Sequence, residues 1–507
     1  MSNQNEASGV LVIYTGGTIG SVPKNADPNS PLVPLTKDDV AKKGDNPLFK
    51  LIPSYDPRYQ EIILSNKKIR IELQSLEKPI DSSNVSLQVW HDITTIIKNA
   101  YENYEGFVIL HGTDTMTYTA SVLSFMIDKL SKPIIVTGSQ KPIGQTRSDA
   151  VQNLVTSIEI AAAKSLGKIV VPEVCVFFRN KLFRGCRTIK YSASNYEAFQ
   201  SPNLPELGNA DEHLVINENL IRKPSLGFSC NEAYNPKVMY FKVAPGMDLD
   251  LFKTIVTSEN LKGIILLTYG TGNAPTLQEF LDAIDDAIKS KKIIVNVSQC
   301  MSGEVELGLY DVSAGLLSRG VISGLDMTSE AAYTKLCYLI GKESKESEIS
   351  DLMQINHRGE QRQSIYNLHF GAGEMEANQK TFTKNQIGEM VDIRPKAYNP
   401  SLIDKAFLRI MGITEPDGSN IQTARGKVYI DLESANSKSP EDIDNYLGSF
   451  DKRWDLEEDG KENIFITITN QAKKFIDSSH DISITIINEN GRKLKWEKME
   501  IGLFVNV

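Results

Sequence analysis

Two short apolar runs, residues 10–13 and 107–110, each end in a turn crowded with glycine and threonine. The first continues as Tyr-Thr-Gly-Gly-Thr-Ile-Gly over residues 14–20, the second as His-Gly-Thr-Asp-Thr over residues 111–115. An apolar run bounded in this way reads as a buried strand that stops in a sharp turn. In an open parallel sheet, ligands bind beyond the carboxyl ends of strands where the winding reverses. Two hydroxyl-rich turns at such ends therefore predict one pocket built jointly by both. Neither turn carries an obvious set of metal ligands.

The chain between and beyond these turns alternates in type. Met116, Ala120, Leu123, Ile127 and Leu130 recur at helical steps and predict one face of an amphipathic helix. Strands are predicted at 134–137, 174–178, 263–268 and 293–297, with helical stretches such as 150–163 and 277–288 between them. That alternation predicts an α/β fold of parallel sheets with helices on both faces. A chain of 507 residues is too long for one ordinary core, which predicts two or three domains. The polar stretch 208–224 reads as a connector between a larger first domain and a smaller second one.

Beyond about residue 366 the period changes to two. Val428, Ile430 and Leu432 alternate with other residues, as do Ile464, Ile466 and Ile468, and Ile482, Ile484 and Ile486. Residues 488–491 form a turn signal before another strand at 493–504. This tail reads as a separate, mainly antiparallel module of β-sandwich type. The expected division is 1–210 for the first α/β domain, 211–232 for the linker, 233–365 for the second α/β domain and 366–507 for the β-rich module.

Composition narrows the function classes. Lys+Arg 55 against Asp+Glu 64 gives a net charge of −9, which argues against general affinity for nucleic acid or anionic membrane. No apolar run approaches the length of a membrane span. Residues 1–8 are polar and lead straight into the first strand, with no room for a signal peptide. Cys175, Cys186, Cys230, Cys300 and Cys337 are scattered and odd in number, as reduced thiols of a cytoplasmic protein would be, and read as small apolar core residues. The histidines, His91, His111, His213, His357, His369 and His480, are dispersed, with no metalloprotease motif among them. A serine-hydrolase elbow, Gly-x-Ser-x-Gly, is absent too.

The strings TGGTIG at 15–20, DSS at 81–83, HGTDTM at 111–116, TGSQ at 137–140, FRGCRTIK at 183–190, FQSPNLP at 199–205, YGTGNAP at 269–275 and CMSG at 300–303 resemble, in order and spacing, those of the bacterial-type asparaginases, more closely the cytosolic type I branch. The resemblance covers about residues 8–365 and leaves the tail unexplained. It implies hydrolysis of L-asparagine, with L-glutamine as a second candidate substrate, no cofactor, and a homodimer or homotetramer.

An amide is a poor electrophile and a threonine hydroxyl a weak nucleophile, so attack needs a proton acceptor and donors for the developing oxyanion. Thr18 follows a Gly-Gly pair that lets a ligand approach the backbone, and its match to the family string implies that it is the nucleophile. Thr113, Asp114 and Lys190 match the set that relays protons and positions the hydrolytic water. A desolvated lysine disfavours its ammonium form while a neighbouring carboxylate pulls the other way. For binding, Asp114 matches the partner of the substrate ammonium. Asp81 and Ser82 match the carboxylate-side contacts, with backbone groups at Gly112 and Thr113, and Ser139 matches the place where the family supplies a backbone donor near the oxyanion. Asn273 matches a residue that reaches the site across a subunit interface. His111 reads as a structural member of its turn.

The sequence departs from the family at one point. Many asparaginases carry a tyrosine in the mobile loop after the first threonine, and residues 19–40 contain none; Leu32 stands near the corresponding place, and Tyr14, before the turn, is expected to face the core. Leu266, Leu267 and Ile189 make the neighbourhood of a second, regulatory substrate pocket apolar, which argues against such regulation. Two rival readings are the ammonia-supplying amidase of a tRNA-dependent amidotransferase and a silent scaffold that works through the tail. The acidic balance weighs against the first, and the retention of Thr18, Thr113, Asp114 and Lys190 against the second.

Overall fold

The computed structural model describes residues 9–25, 27, 30–42, 46–307, 311–342, 345–375, 378–384, 400–413, 424–452, 462–476, 482–489 and 494–506. The polar start at 1–8, His480 and the second half of the turn at 488–491 lie outside the described residues.

The first unit is built on a ten-stranded sheet. Its parallel centre runs, in spatial order, Val174–Phe178, Ile134–Thr137, Gly106–Leu110, Val10–Gly16 and Lys67–Ile80. Val10 lies opposite Gly106 on one side and Ile71 on the other. The chain thus winds outward to 67–80, returns past its first strand to 106–110 and continues the other way, so the winding reverses at Val10–Gly16. Alternate side chains serve two cores. Val10, Val12 and Tyr14 pack with Leu154 and Ile158 of the helix Ala150–Ala161, whereas Leu11 and Ile13 pack with residues of the helices Leu87–Ala100 and Met116–Met126. Burial on both faces is why these strands read as unbroken apolar runs.

Two stretches differ from the sequence expectation. The helix expected to run through Ile127 and Leu130 ends at Met126, because Ile127 and Asp128 pair antiparallel with Ser229–Cys230 and Lys129 takes a left-handed turn at φ +55°. The stretch 208–224 is more than a connector: Gly208–Ala210 and Leu214–Ile216 extend the sheet edge beyond the hairpin strand Lys181–Arg184.

The second unit is a purely parallel sheet in the order Val238–Lys242, Gly263–Thr268, Ile293–Ser298, Ile322–Ser323. Ile264 and Leu266 face the helices Leu249–Val256 and Gln278–Lys289; Ile265 and Val295 face Ser329–Lys342 and Glu346–Gln354. From Gln363 onward two four-stranded antiparallel sheets face each other. One has the order Gln363–Met375, Leu494–Asn506, Ile403–Ile413, Glu462–Thr467, and the other Asn378–Lys384, Ile482–Asn488, Ala424–Ile430, Tyr446–Lys452. Leu408, Ile410, Ile501 and Trp496 from one sheet share a core with Val428, Ile430, Ile484 and Ile486 from the other, which makes the tail a β-sandwich. The alternation expected through Leu432 stops at Ile430, because Asp431 turns at φ +49°. The run 464–468 gives way to a short helix, Thr469–Phe475. Of the cysteines, Cys175, Cys186 and Cys337 are buried as expected, but Cys300 is exposed.

Buried ions join the three units. Lys335, on the helix Ser329–Lys342, lies 2.7 Å from Glu360 and donates to the carbonyls of Met353 (2.9 Å) and Ile355 (2.6 Å); both charged side chains are fully buried. Burial opposes ionisation of Glu360, yet Lys335 and the amides of His357 and Arg358 hold its carboxyl far below the usual range. Arg187 of the first unit pairs with Asp326 of the second at 2.6 Å and donates to the Glu360 carbonyl at 2.8 Å. Nearer the sandwich, His369 lies 3.5 Å from Asp351 and 3.1 Å from Glu500, and these two carboxylates raise its pKa to about 9.

Removing one partner of a buried pair leaves the other uncompensated, so Glu360→Gln is expected to cost about 3–5 kcal/mol in chemical denaturation. The His369 contribution has the opposite pH sense to a carboxylate's. Its folded pKa is raised from 6.5 to about 9, so its stabilisation is complete below pH 6.5 and is lost as pH rises through about 9. The melting-temperature gap between wild type and His369→Asn is expected to be largest below pH 6.5 and to close above pH 9.

Candidate active site

Three turns meet at the reversal point because glycines let their backbones touch. Gly16 and Gly17 take φ of +112° and +81°; a Cβ on Gly17 would fall 2.3 Å from the Gly112 nitrogen, and one on Gly16 2.1 Å from the Ile80 carbonyl oxygen. A Cβ on Gly112 would fall 2.5 Å from Ser82 Oγ. Hydrogen bonds seal the contact: Gly17 N–H to Ile80 O at 3.0 Å, Thr15 Oγ1 to Leu110 O at 2.9 Å and Thr115 Oγ1 to Ser82 O at 2.7 Å. Thr18 opens the 3-10 turn Thr18–Gly20 on the rim of this cradle, half-buried, and among the described residues no hydrogen bond engages its hydroxyl.

Lys190 reaches the second turn from the short strand Ile189–Lys190, which pairs with Phe199–Gln200. Arg187 and Thr188 before it are buried, so its backbone is fixed. Its ammonium donates to Thr113 Oγ1 at 2.9 Å and to Asp114 Oδ1 at 2.6 Å, with the Lys190 side chain 16% exposed and that of Asp114 64%. A hydroxyl that accepts from an ammonium keeps its own proton free to donate. Thr113 is thereby set to hand a proton to, or receive one from, a group in the cradle, while the Asp114 carboxylate stands open to a cation.

His111 is held from both ring nitrogens. Nδ1 lies 2.7 Å from the Gly112 carbonyl, which can only accept, and Nε2 lies 2.9 Å from Thr119 Oγ1, which itself accepts from Trp90 Nε1 at 2.9 Å. Burial lowers the imidazole pKa to about 4, so the ring is neutral, with its proton on Nδ1 and Thr119 donating to Nε2. The histidine is a brace for the turn. Sequence reading missed Thr119 and Trp90, whose only signal is a position on the inward faces of two helices.

The remaining candidates divide. Ser139 is buried in the loop after Ile134–Thr137, donates its hydroxyl to Lys141 O at 2.5 Å, and adjoins Gly138, whose Cβ would fall 2.2 Å from His111 O. The loop is pinned by Asp149, which accepts from the Gln140 and Lys141 amides at 3.1 and 3.2 Å; this residue was also missed, its signal being an acid just before the helix Ala150–Ala161. Asp81 caps its own turn, accepting from Ser83 Oγ at 2.7 Å and Ser83 N at 2.9 Å, and these bonds lower its pKa. Asn273 stands apart, on the turn after Gly263–Thr268 in the second sheet. Its backbone exchanges hydrogen bonds with Tyr269, its Oδ1 is buried without a partner, and no hydrogen bond joins it to the cradle among the described residues. The loop after Thr18 forms a hairpin arm, Ser21–Pro23 with Leu32–Pro34. Tyr14 lies wholly in the core, its hydroxyl donating to Gly20 O at 3.3 Å.

The chain matches two family models, "Asparaginase, N-terminal" over residues 9–222 and "Glutaminase/Asparaginase C-terminal domain" over residues 237–353. It is 41% identical over 282 residues to L-asparaginase 1 of Escherichia coli, covering 55% of this chain and 82% of that one. It is 38% identical over 346 residues to a 60 kDa lysophospholipase of Mus musculus, covering 66% of this chain and 58% of that protein's length. The crystal structure of L-asparaginase I from Vibrio cholerae superposes with a TM-score of 0.60 at 35% identity, over 70% of this chain and 99% of that one.

Thr119→Val keeps the shape but strands the Trp90 N–H and His111 Nε2 in a buried site. It is expected to cost about 1–3 kcal/mol in thermal unfolding.

Proposed function

The chain belongs to the asparaginase family, and from that membership we propose that it hydrolyses L-asparagine to L-aspartate and ammonia through an ester on Thr18. The carrying observation is the contact of Lys190 Nζ with Thr113 Oγ1 at 2.9 Å and Asp114 Oδ1 at 2.6 Å, next to a glycine-built cradle on which Thr18 presents an unengaged hydroxyl.

In this reading Thr18 Oγ attacks the side-chain amide carbon. Its proton passes to the departing nitrogen, which leaves as ammonia and frees the acyl-enzyme. Water then attacks the ester carbon as its proton passes to Thr113 Oγ1 and the Thr113 proton passes to Thr18 Oγ, with Lys190 donating to Thr113 throughout, and aspartate leaves. Asp114 pairs with the substrate ammonium, while Asp81, Ser82 and the backbone at Gly112 bound the carboxylate side. The backbone at Ser139, in a loop braced by Asp149, serves the oxyanion. Asn273 acts in a neighbouring copy's site within a homodimer or homotetramer, a role that rests on its place in the string YGTGNAP at 269–275. The proposed location is the cytoplasm; among the described residues no helix is long and apolar enough to cross a membrane. The proposed domain limits are those given from the sequence, except that Leu214–Ile216 goes with the first α/β domain and the β-rich module opens at Gln363.

Glutamine differs from asparagine by one methylene, worth about 1–3 kcal/mol of discrimination, so both amides belong in the assay. An amidase partner in tRNA-dependent amidation would need an RNA-facing surface, and the net charge of −9 weighs against one.

Ammonia release from asparagine is expected to fall on the order of 10⁴-fold in Thr18→Ala and on the order of 10²–10⁴-fold in Lys190→Met, with melting temperatures unchanged. Undiminished turnover by folded Thr18→Ala would refute the mechanism.

A further inference from the structure

The face of the sandwich that looks away from its own core carries an unusual patch. Leu408 and Ile410 point inward, so Phe407 and Arg409 point outward; by the same alternation Ile464 and Ile466 are inward and Phe465 and Thr467 outward. Phe504, beside Lys405 in the register, joins them, its ring 5.7 Å from that of Phe407 in an edge-to-face arrangement. The solvent face of an antiparallel sheet is ordinarily polar. Here three phenylalanines gather on it, opposite Val305, Leu307, Leu317 and Val321 of the second α/β unit, and the two walls enclose a cleft of about 250 Å³.

Every charged side chain lining this cleft is already matched. Lys405 lies 2.7 Å from Glu306, Arg362 lies 3.3 Å from Glu304, and Arg409 lies 3.3 Å from Glu500 with its guanidinium 5.9 Å from the Phe504 ring centre. An ionic ligand would have to break one of these pairs in a partly desolvated place. A neutral ring system needs no such exchange and would meet the phenylalanine edges and faces directly. The volume lies just below the range of about 300–1,000 Å³ usual for small-molecule pockets, which restricts the ligand to a compact ring system. We propose that the cleft between the second α/β unit and the β-sandwich is a binding site for an uncharged aromatic small molecule, separate from the amide-hydrolysing cradle.

The test uses the full chain and two fluorophores that share a scaffold, neutral N-phenyl-1-naphthylamine and anionic 8-anilino-1-naphthalenesulfonate. Saturable one-to-one binding of the neutral probe is expected, with the sulfonate weaker by about tenfold or more. Phe465→Glu, which brings an unmatched charge to the wall, and Thr467→Trp, which fills the space, should each weaken the neutral probe by about tenfold or more while leaving the melting temperature near wild type. Both positions are outward on the strand Glu462–Thr467, so neither touches the sandwich core. The proposal fails if the neutral probe does not saturate, if the sulfonate binds as tightly, or if a folded variant binds like wild type. Should one variant not fold, the other and the comparison of probes still decide.

Discussion

Backbone meeting backbone at Gly17 and Gly112 is the contact from which the rest of the site follows. A Cβ on Gly17 would fall 2.3 Å from the Gly112 nitrogen and one on Gly112 2.5 Å from Ser82 Oγ, so the three turns can lie this close only where these residues lack a Cβ. The parallel sheet supplies the second half of the constraint by reversing its winding at Val10–Gly16. The turns after Val10–Gly16, Lys67–Ile80 and Gly106–Leu110 therefore leave the same edge side by side. Thr18, Ser82 and Thr113 sit immediately beside these contacts, and their convergence is a property of the main chain before it is one of their side chains.

Around that contact the molecule fixes polar groups by holding each with two partners at once. His111 keeps one tautomer because a carbonyl holds Nδ1 and a hydroxyl holds Nε2. Lys190 keeps one rotamer because Thr113 and Asp114 both accept from it. Asp149 does the same for the loop of Ser139 by taking two amides at once. Such orientation has catalytic value because donors already aimed need not reorganise when charge develops.

Much of this was legible in the sequence, and what was not shares a physical cause. The runs at 10–13 and 107–110 announced strands buried on both faces, and the alternation at 464–468 and 482–486 announced an antiparallel layer, because period and burial are local properties. The contact of Lys190 with Thr113 and Asp114 was legible through the strings shared with the family. Ile127 was misread as helical because its deciding partner is Cys230, about a hundred residues away. Residues 214–216 looked like connector because three residues of strand carry little periodic signal. Trp90, Thr119 and Asp149 escaped because each acts on a turn contributed by another part of the chain, a relation that spacing does not encode.

The buried knot around Glu360 has a mechanical corollary. Arg187 grips the Glu360 carbonyl and Asp326 at once, and it closes the 3-10 turn Gly185–Arg187, three residues before Lys190. The sandwich begins three residues after Glu360. Two buried ion pairs and one shared carbonyl thus rivet the root of the sandwich, the second α/β unit and the stretch of chain leading to Lys190 into a single joint.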